Sequence, residues 1–286
     1  MITAENLDDL RDTIIEEKID TLLREGHVSQ VEEFLKRVKI DPPDPELLKD
    51  FGEICERRNI VTHANGIVNK RYRERLLQLK FKDADIPKIG EEIDISSQYI
   101  MRSNGRVSLL GFWLIHSIWR KILPAEKKES NSAIVTWSHE MLSAGFTKFA
   151  GRICRLALDS FPDMPDVDRA YLVINLALSY HLNNDLSESE RKKGVEDALS
   201  LRQWDIVNGK FALAICCLRE EFDDLAQKID GGIADGVNVH NFMEWALFSK
   251  IRDRPEFIFK MRDHFDVDLT EPLDIDDEIA EMEQLL

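Results

Sequence analysis

Apolar side chains recur every three or four positions almost from one end of the chain to the other, and nothing in it reads as a run of alternating strands. That spacing predicts an all-α fold. A first helix is expected from about Asn6 to Val38, with Leu7, Leu10, Ile14, Ile15, Ile19, Leu22 and Leu23 on one side and an interruption near Gly26. Asp41-Pro42-Pro43-Asp44-Pro45 ends that helix and starts the next. Asp44 suits an N-cap, because its carboxylate accepts from free backbone N–H groups, and Pro45 needs no hydrogen-bond partner at the first helical position.

The second helix carries Leu47, Leu48, Phe51, Ile54 and Cys55 in one apolar row, and continuing that row brings in Arg58. Arg58 is therefore expected to face inward, where a guanidinium is costly unless it is paired or used. Asn59 and His63, four apart, share the neighbouring face, and Gly66 is placed to close the helix in left-handed geometry. Tyr72, Leu76, Leu77 and Phe81 open a further amphipathic segment, and Ile95 to Leu123 forms another, stopped by Pro124. Together these predict a bundle of four or five helices over about residues 1 to 125.

A polar stretch, Ala125 to Ser132, loses the apolar periodicity and is the expected linker to a second domain over 133–265. Three helix-to-helix transitions in that domain look alike: Leu142-Ser-Ala-Gly-Phe146, Leu182-Asn-Asn-Asp-Leu186 and Leu218-Arg-Glu-Glu-Phe222, spaced 40 and 36 residues apart. Phe149-Ala150 and Leu225-Ala226 then begin similar second helices. The pattern resembles degenerate tetratricopeptide-type hairpins, each burying one face against its neighbour; an irregular helical domain is the plainer alternative. The tail from Asp266 to Leu286 has nine acidic residues and no basic one. It reads as a solvated terminal helix or as a cover for a basic surface.

Charge changes this picture at one place. The chain carries 38 Lys+Arg against 54 Asp+Glu, a net of −16, yet the segment from Arg57 to Lys82 has eight basic residues and only Glu74 acidic. A local cationic footprint on an anionic body favours docking a polyanion there, with a solvated helix face as the alternative. Cys55, Cys154, Cys216 and Cys217 lie in apolar helical patterns and read as reduced core residues of a cytoplasmic protein. Met1 to Arg11 is acidic and lacks the apolar run of a leader, and Leu109 to Trp119 is too short to cross a bilayer. The other histidines (His27, His116, His139, His181, His240, His264) show no metal-ligand spacing, so neither a metal nor a cofactor is expected. Trp113, Trp119, Trp137, Trp204 and Trp245 fall on apolar rows and are assigned to packing.

Arg58-Asn59-Ile60-Val61-Thr62-His63, followed by Gly66 and Tyr72 late in a helical bundle, resembles the signature of the HEPN superfamily. The resemblance covers about residues 1 to 125. It implies an up-and-down bundle that dimerises so that two motifs face each other in one composite, metal-independent RNA-cleaving site. It also implies a toxin or an effector of defence against phage. Arg58 and His63 match the defining pair, and Asn59 the polar position beside the Arg.

The residues support such chemistry independently. Cleaving RNA without a metal needs a base for the ribose 2′-OH, an acid for the leaving 5′-oxygen and a fixed cation for the charge building on phosphate. Imidazole suits proton transfer, and a guanidinium holds phosphate through two parallel donors. Asn59 would orient the imidazole or the phosphate. One chain offers one such His, so separate acid and base roles require a homodimer. Lys70, Arg71, Arg73 and Arg75 are candidates for holding the RNA backbone. The structural alternatives are a helix-capping His63, and an Arg58 held by Glu53 or Glu56. A non-catalytic dimeric adaptor, binding RNA or a protein partner through its repeats and basic segment, is the competing function. Under either reading the C-terminal domain is expected to hold a regulatory protein partner.

Overall fold

The computed structural model describes Arg11, Ile15 and residues 26–41, 44–204 and 208–267. The apolar row from Leu7 to Leu23, Ile15 apart, and the acidic tail beyond Val267 lie outside the described residues. Twelve α-helices and no strand occur among the described residues, so the fold is all-α. No described helix is long and apolar enough to cross a membrane. The chain divides into two compact units after Ser130.

In the N-terminal unit α1 spans His27–Val38, α2 Pro45–Ala64, α3 Lys70–Gln78 and α4 Ser97–Ile122. Gly26 is extended and precedes α1. Asp44 caps α2, accepting from Glu46 N at 3.0 Å, with Pro45 in the first turn. The helix closes one residue before the glycine expected to do so: Asn65 is left-handed at φ 50°, and Gly66 follows at φ 76°. Asn69 and Ser96 cap α3 and α4, accepting from Tyr72 N at 2.9 Å and Tyr99 N at 3.2 Å.

Ile60, Val68, Tyr72, Leu76, Ile86 and Ile93 form a buried cluster under the end of α2. The chain entering and leaving it is zipped by Val68 N to Glu91 O and Gly90 N to Val68 O, both 2.8 Å, and Ile93 N to Gly66 O, 2.9 Å. Arg73 holds the same loop, donating to Ile86 O at 2.9 Å and Pro87 O at 2.6 Å and pairing with Asp83. Gly52 of α2 lies where a Cβ would meet Leu79 at 2.6 Å and Val28 at 2.9 Å, so close packing there needs a glycine.

The expected linker is helical. A 3-10 turn over Pro124–Glu126 runs into α5, Lys127–Ser143, and Ser130 and Asn131 are buried. Lys and Glu are good helix formers, so loss of apolar periodicity did not mean loss of helix.

The C-terminal unit continues α5 with α6 Thr147–Ser160, α7 Asp166–His181, α8 Glu188–Leu199, α9 Gly209–Arg219, α10 Leu225–Ala234, α11 Val239–Glu244 and α12 Pro255–Phe265. Helix α7 is buried from Leu172 to Ser179 and α9 from Leu213 to Leu218, as expected of helices enclosed on all sides. Each of the three similar transitions lies between consecutive helices, but each closes differently. Gly145 is left-handed in the first, Asn183 Oδ1 accepts from Asp185 N at 3.1 Å in the second, and Glu220 is left-handed in the third. Cys154, Cys216 and Cys217 are buried and Cys55 partly so. Trp113 is buried, whereas Trp204 and Trp245 stand just past helix ends; Trp204 Nε1 donates to Leu199 O at 2.8 Å.

Candidate functional site

Helix α2 ends in three side chains set between a buried row and solvent. Ile60, 4% exposed, fixes which way the last turns face. Two residues along a helix rotate by roughly 200°, so burying Ile60 turns Arg58 outward. Arg58 is exposed, and the inward position expected for it is wrong. The apolar row was broader than one stripe because α2 packs against α1, α3 and α4 together.

The inward cation is its neighbour. Arg57 Nε donates to Glu53 Oε1 at 2.6 Å, Arg57 Nη1 to Asp94 O at 2.8 Å, and its guanidinium lies 4.2 Å from the Tyr99 ring centroid. Tyr99 donates its hydroxyl to the other Glu53 oxygen at 2.9 Å. Burial pushes the Tyr99 and Tyr72 phenols up to about 12, so both stay protonated. The group lines a cavity of about 390 Å³ with Asp50, Arg102 and Arg106. Burial raises the Asp50 carboxyl above the usual range although Arg106 Nε is 2.9 Å away. These charges answer one another and bind α2 to α4. Sequence reasoning missed the clamp, whose one local signal was the i, i+4 spacing of Glu53 and Arg57.

On the outer face Arg58 Nη1 donates to Asn59 Oδ1 at 3.2 Å, which turns the half-buried amide toward the guanidinium. Asn59 and His63, one turn apart, lie on the same side, and His63 is exposed. Thr62 Oγ1 donates to Arg58 O at 2.8 Å and steadies the last turn. Neither Glu53 nor Glu56 holds Arg58, and no side chain among the described residues pairs with His63. Arg58 and His63 are thus exposed on the last turns of one helix, with Arg58 bonded to the half-buried Asn59 and His63 one turn beyond that amide.

The four basic candidates separate. Lys70 and Arg71 are exposed at the start of α3, Lys70 3.6 Å from Glu74. Arg73 is half-buried and spent on its loop, and Arg75 donates to Gln78 Oε1 at 3.1 Å. Lys70 and Arg71 are therefore the cations best free to meet a polyanion. Among the described residues no group of three or more His, Cys, Asp or Glu is arranged to hold a metal ion.

No protein-family model, curated protein or solved structure matches the chain.

Proposed function

We propose that this chain is a metal-independent endoribonuclease of the HEPN type that acts as a homodimer. The observation that carries the reading is the exposure of Arg58 and His63 at the end of α2, with Arg58 bonded to Asn59, and of Lys70 and Arg71 at the start of α3. In this reading one His63 takes the proton from a ribose 2′-OH, whose oxygen attacks phosphorus. The bond from phosphorus to the 5′-oxygen breaks, and the second copy's His63 protonates that oxygen. Arg58 holds the phosphate oxygens as their charge grows, a role suited to a fixed bidentate donor. The products are a 2′,3′-cyclic phosphate and a free 5′-hydroxyl.

Helix α4 offers a surface for the second copy. Ile100, Val107, Ile115 and Ile122, spaced seven, eight and seven apart, share one face and are 55%, 39%, 62% and 59% exposed. Gly111 lies on that face with nothing within 4 Å of where its Cβ would be, so a second helix can approach closely. The bundle over about 1–125, the helical hairpins over 133–265 and the acidic tail over 266–286 then take the roles of nuclease, partner-holding domain and restraint in a cytoplasmic toxin or defence effector.

The same apolar stripe serves a dimeric adaptor without catalysis, and one experiment separates the two. Purified protein is incubated with RNA in excess EDTA. Cleavage leaving cyclic phosphate ends, lost in a His63→Ala variant that still dimerises, supports the nuclease; intact RNA with retained binding supports the adaptor.

A further inference from the structure

Exposed Asn104 and half-buried Ile118 belong to the same stripe of α4 as Ile100, Val107, Gly111, Ile115 and Ile122. Steps of three and four residues keep all of them within about 40° of one line along the helix. Eleven residues separate Ile100 from Gly111 and Gly111 from Ile122, a spacing that runs nearly straight, so a second identical row can lie along it. No charge stands on that line, in a chain that is 32% charged. Arg106 turns to Asp50 at 2.9 Å, Arg120 is buried, Arg102 lies 5.6 Å from the Tyr99 ring centroid, and exposed Lys121 flanks the row. A symmetric pair sets a face against itself, where charges of one sign would repel, so a charge-free face fits a second copy of this chain.

Apolar matching alone does not choose a direction. In a parallel pair each residue meets its own counterpart. In an antiparallel pair centred on Gly111, Ile100 meets Ile122 and Val107 meets Ile115, which is equally apolar. Asn104 decides between them. Antiparallel, it lies against Ile118 and its amide is buried without a partner; parallel, it meets the other copy's Asn104 and the two amides satisfy each other. Asn104 makes no side-chain hydrogen bond among the described residues, so its amide is free for that pairing. An antiparallel pair centred on Asn104 would also join the amides, but it sets Ile115 and Ile122 beyond Ser97, the first residue of the facing helix, and leaves them uncovered.

We propose that two copies of this chain pair through α4 in parallel, Asn104 against Asn104 and Gly111 against Gly111 along the two-fold axis. This pairing rests on the dimer of the proposed function, and it decides where the two copies' candidate residues fall. Asp50 meets Arg106 at 2.9 Å, Glu53 accepts from the Tyr99 hydroxyl at 2.9 Å, and Arg57 donates to Asp94 O at 2.8 Å, so α2 runs antiparallel to α4 and ends beside its start. Ile93 N, donating to Gly66 O at 2.9 Å, holds that end in place. A parallel pair therefore brings both copies of Arg58 and His63 to one end of the dimer. In the antiparallel pair the two starts of α4, each fourteen residues from Gly111, stand about 40 Å apart, too far to share a phosphate.

Full-length Ile100→Cys and Ile122→Cys variants are oxidised separately and as a mixture, with the unaltered protein as the control for half-buried Cys55. Both positions are more than half exposed, so neither change disturbs the core. Each variant is expected to form a disulfide dimer with itself, and the mixture no disulfide joining the two. Antiparallel, the cysteines of either variant stand roughly 33 Å apart, beyond the reach of a disulfide, and only the mixture cross-links. Asn104→Ile removes the amide that selects the direction, and in that background the mixture should cross-link as well. A mixed disulfide in place of the self-disulfides, a monomer by sedimentation at micromolar concentration, or an Asn104→Ile background that changes nothing overturns the proposal. A parallel dimer that leaves RNA intact keeps the pairing and removes the nuclease. RNA cleavage by an antiparallel dimer removes the pairing and the composite site but leaves a nuclease.

Discussion

Replacing Arg57 or Arg58 by Met, one at a time, separates the clamp from the candidate site. Arg57→Met removes two charge-assisted bonds and the stacking on Tyr99, and it leaves Glu53 with Tyr99 as its remaining donor. The Arg57 and Glu53 side chains are 17% and 13% exposed. Removing one partner of a fully buried pair costs roughly 3–5 kcal/mol, so the partial exposure here puts the loss at about 3 kcal/mol. That lowers the melting temperature by about 10 °C in a unit of this size. Arg58→Met breaks one exposed bond to Asn59 and should change stability by less than about 0.5 kcal/mol. Denaturant melts measure the first effect, and cleavage of RNA below the melting temperature measures the second. Arg58→Met is expected to abolish cleavage at full stability, whereas Arg57→Met retains cleavage when folded. Equal destabilisation by the two variants would refute the inward and outward assignments.

Other expectations follow from single contacts. Ile115→Glu places a charge on the exposed stripe of α4 and should yield a folded monomer by sedimentation, with cleavage lost. Burial, with Arg120 nearby, holds the His116 imidazole down at about 4 against an ordinary 6.5, so the fold keeps it neutral while the unfolded chain protonates. Its stabilisation is complete above about pH 6.5 and is lost progressively as pH falls to about 4, by roughly 3 kcal/mol in all. Urea melts of His116→Gln should show that much less acid sensitivity over this window. Gly209→Ala would set a Cβ 2.1 Å from Gly231 O, where only backbone movement relieves it. Thermal melts should show a loss of about 2–3 kcal/mol. Neutralising Lys70 and Arg71 together should flatten the salt dependence of RNA affinity by about two phosphate contacts without changing which sequence is cut.

What the sequence made legible was mostly local. Asp44 with Pro45 and the stop at Pro124 each act within a few residues of themselves, so they could be placed without a fold. The direction of Arg58 could not, because it depends on which neighbours claim the end of α2, and burial of Ile60 settles that. Helices α7 and α9 are apolar nearly all round, so their spacing predicts a helix but gives it no face. Arg73 was grouped with the exposed cations because its partners, two backbone carbonyls and the Asp83 carboxylate, follow no helical spacing. The triplet itself was visible as a motif, and only the structure shows that Arg58 and His63 stand on solvent while Arg57 is spent inside.

The most direct test of the central claim is RNA cleavage by the purified protein in excess EDTA, read by the chemistry of the new ends. Expected are 2′,3′-cyclic phosphates and 5′-hydroxyls, produced by the unaltered protein and not by a dimeric His63→Ala variant. Cleavage that persists in that variant, or RNA left intact by a wild-type dimer that binds it, would contradict it.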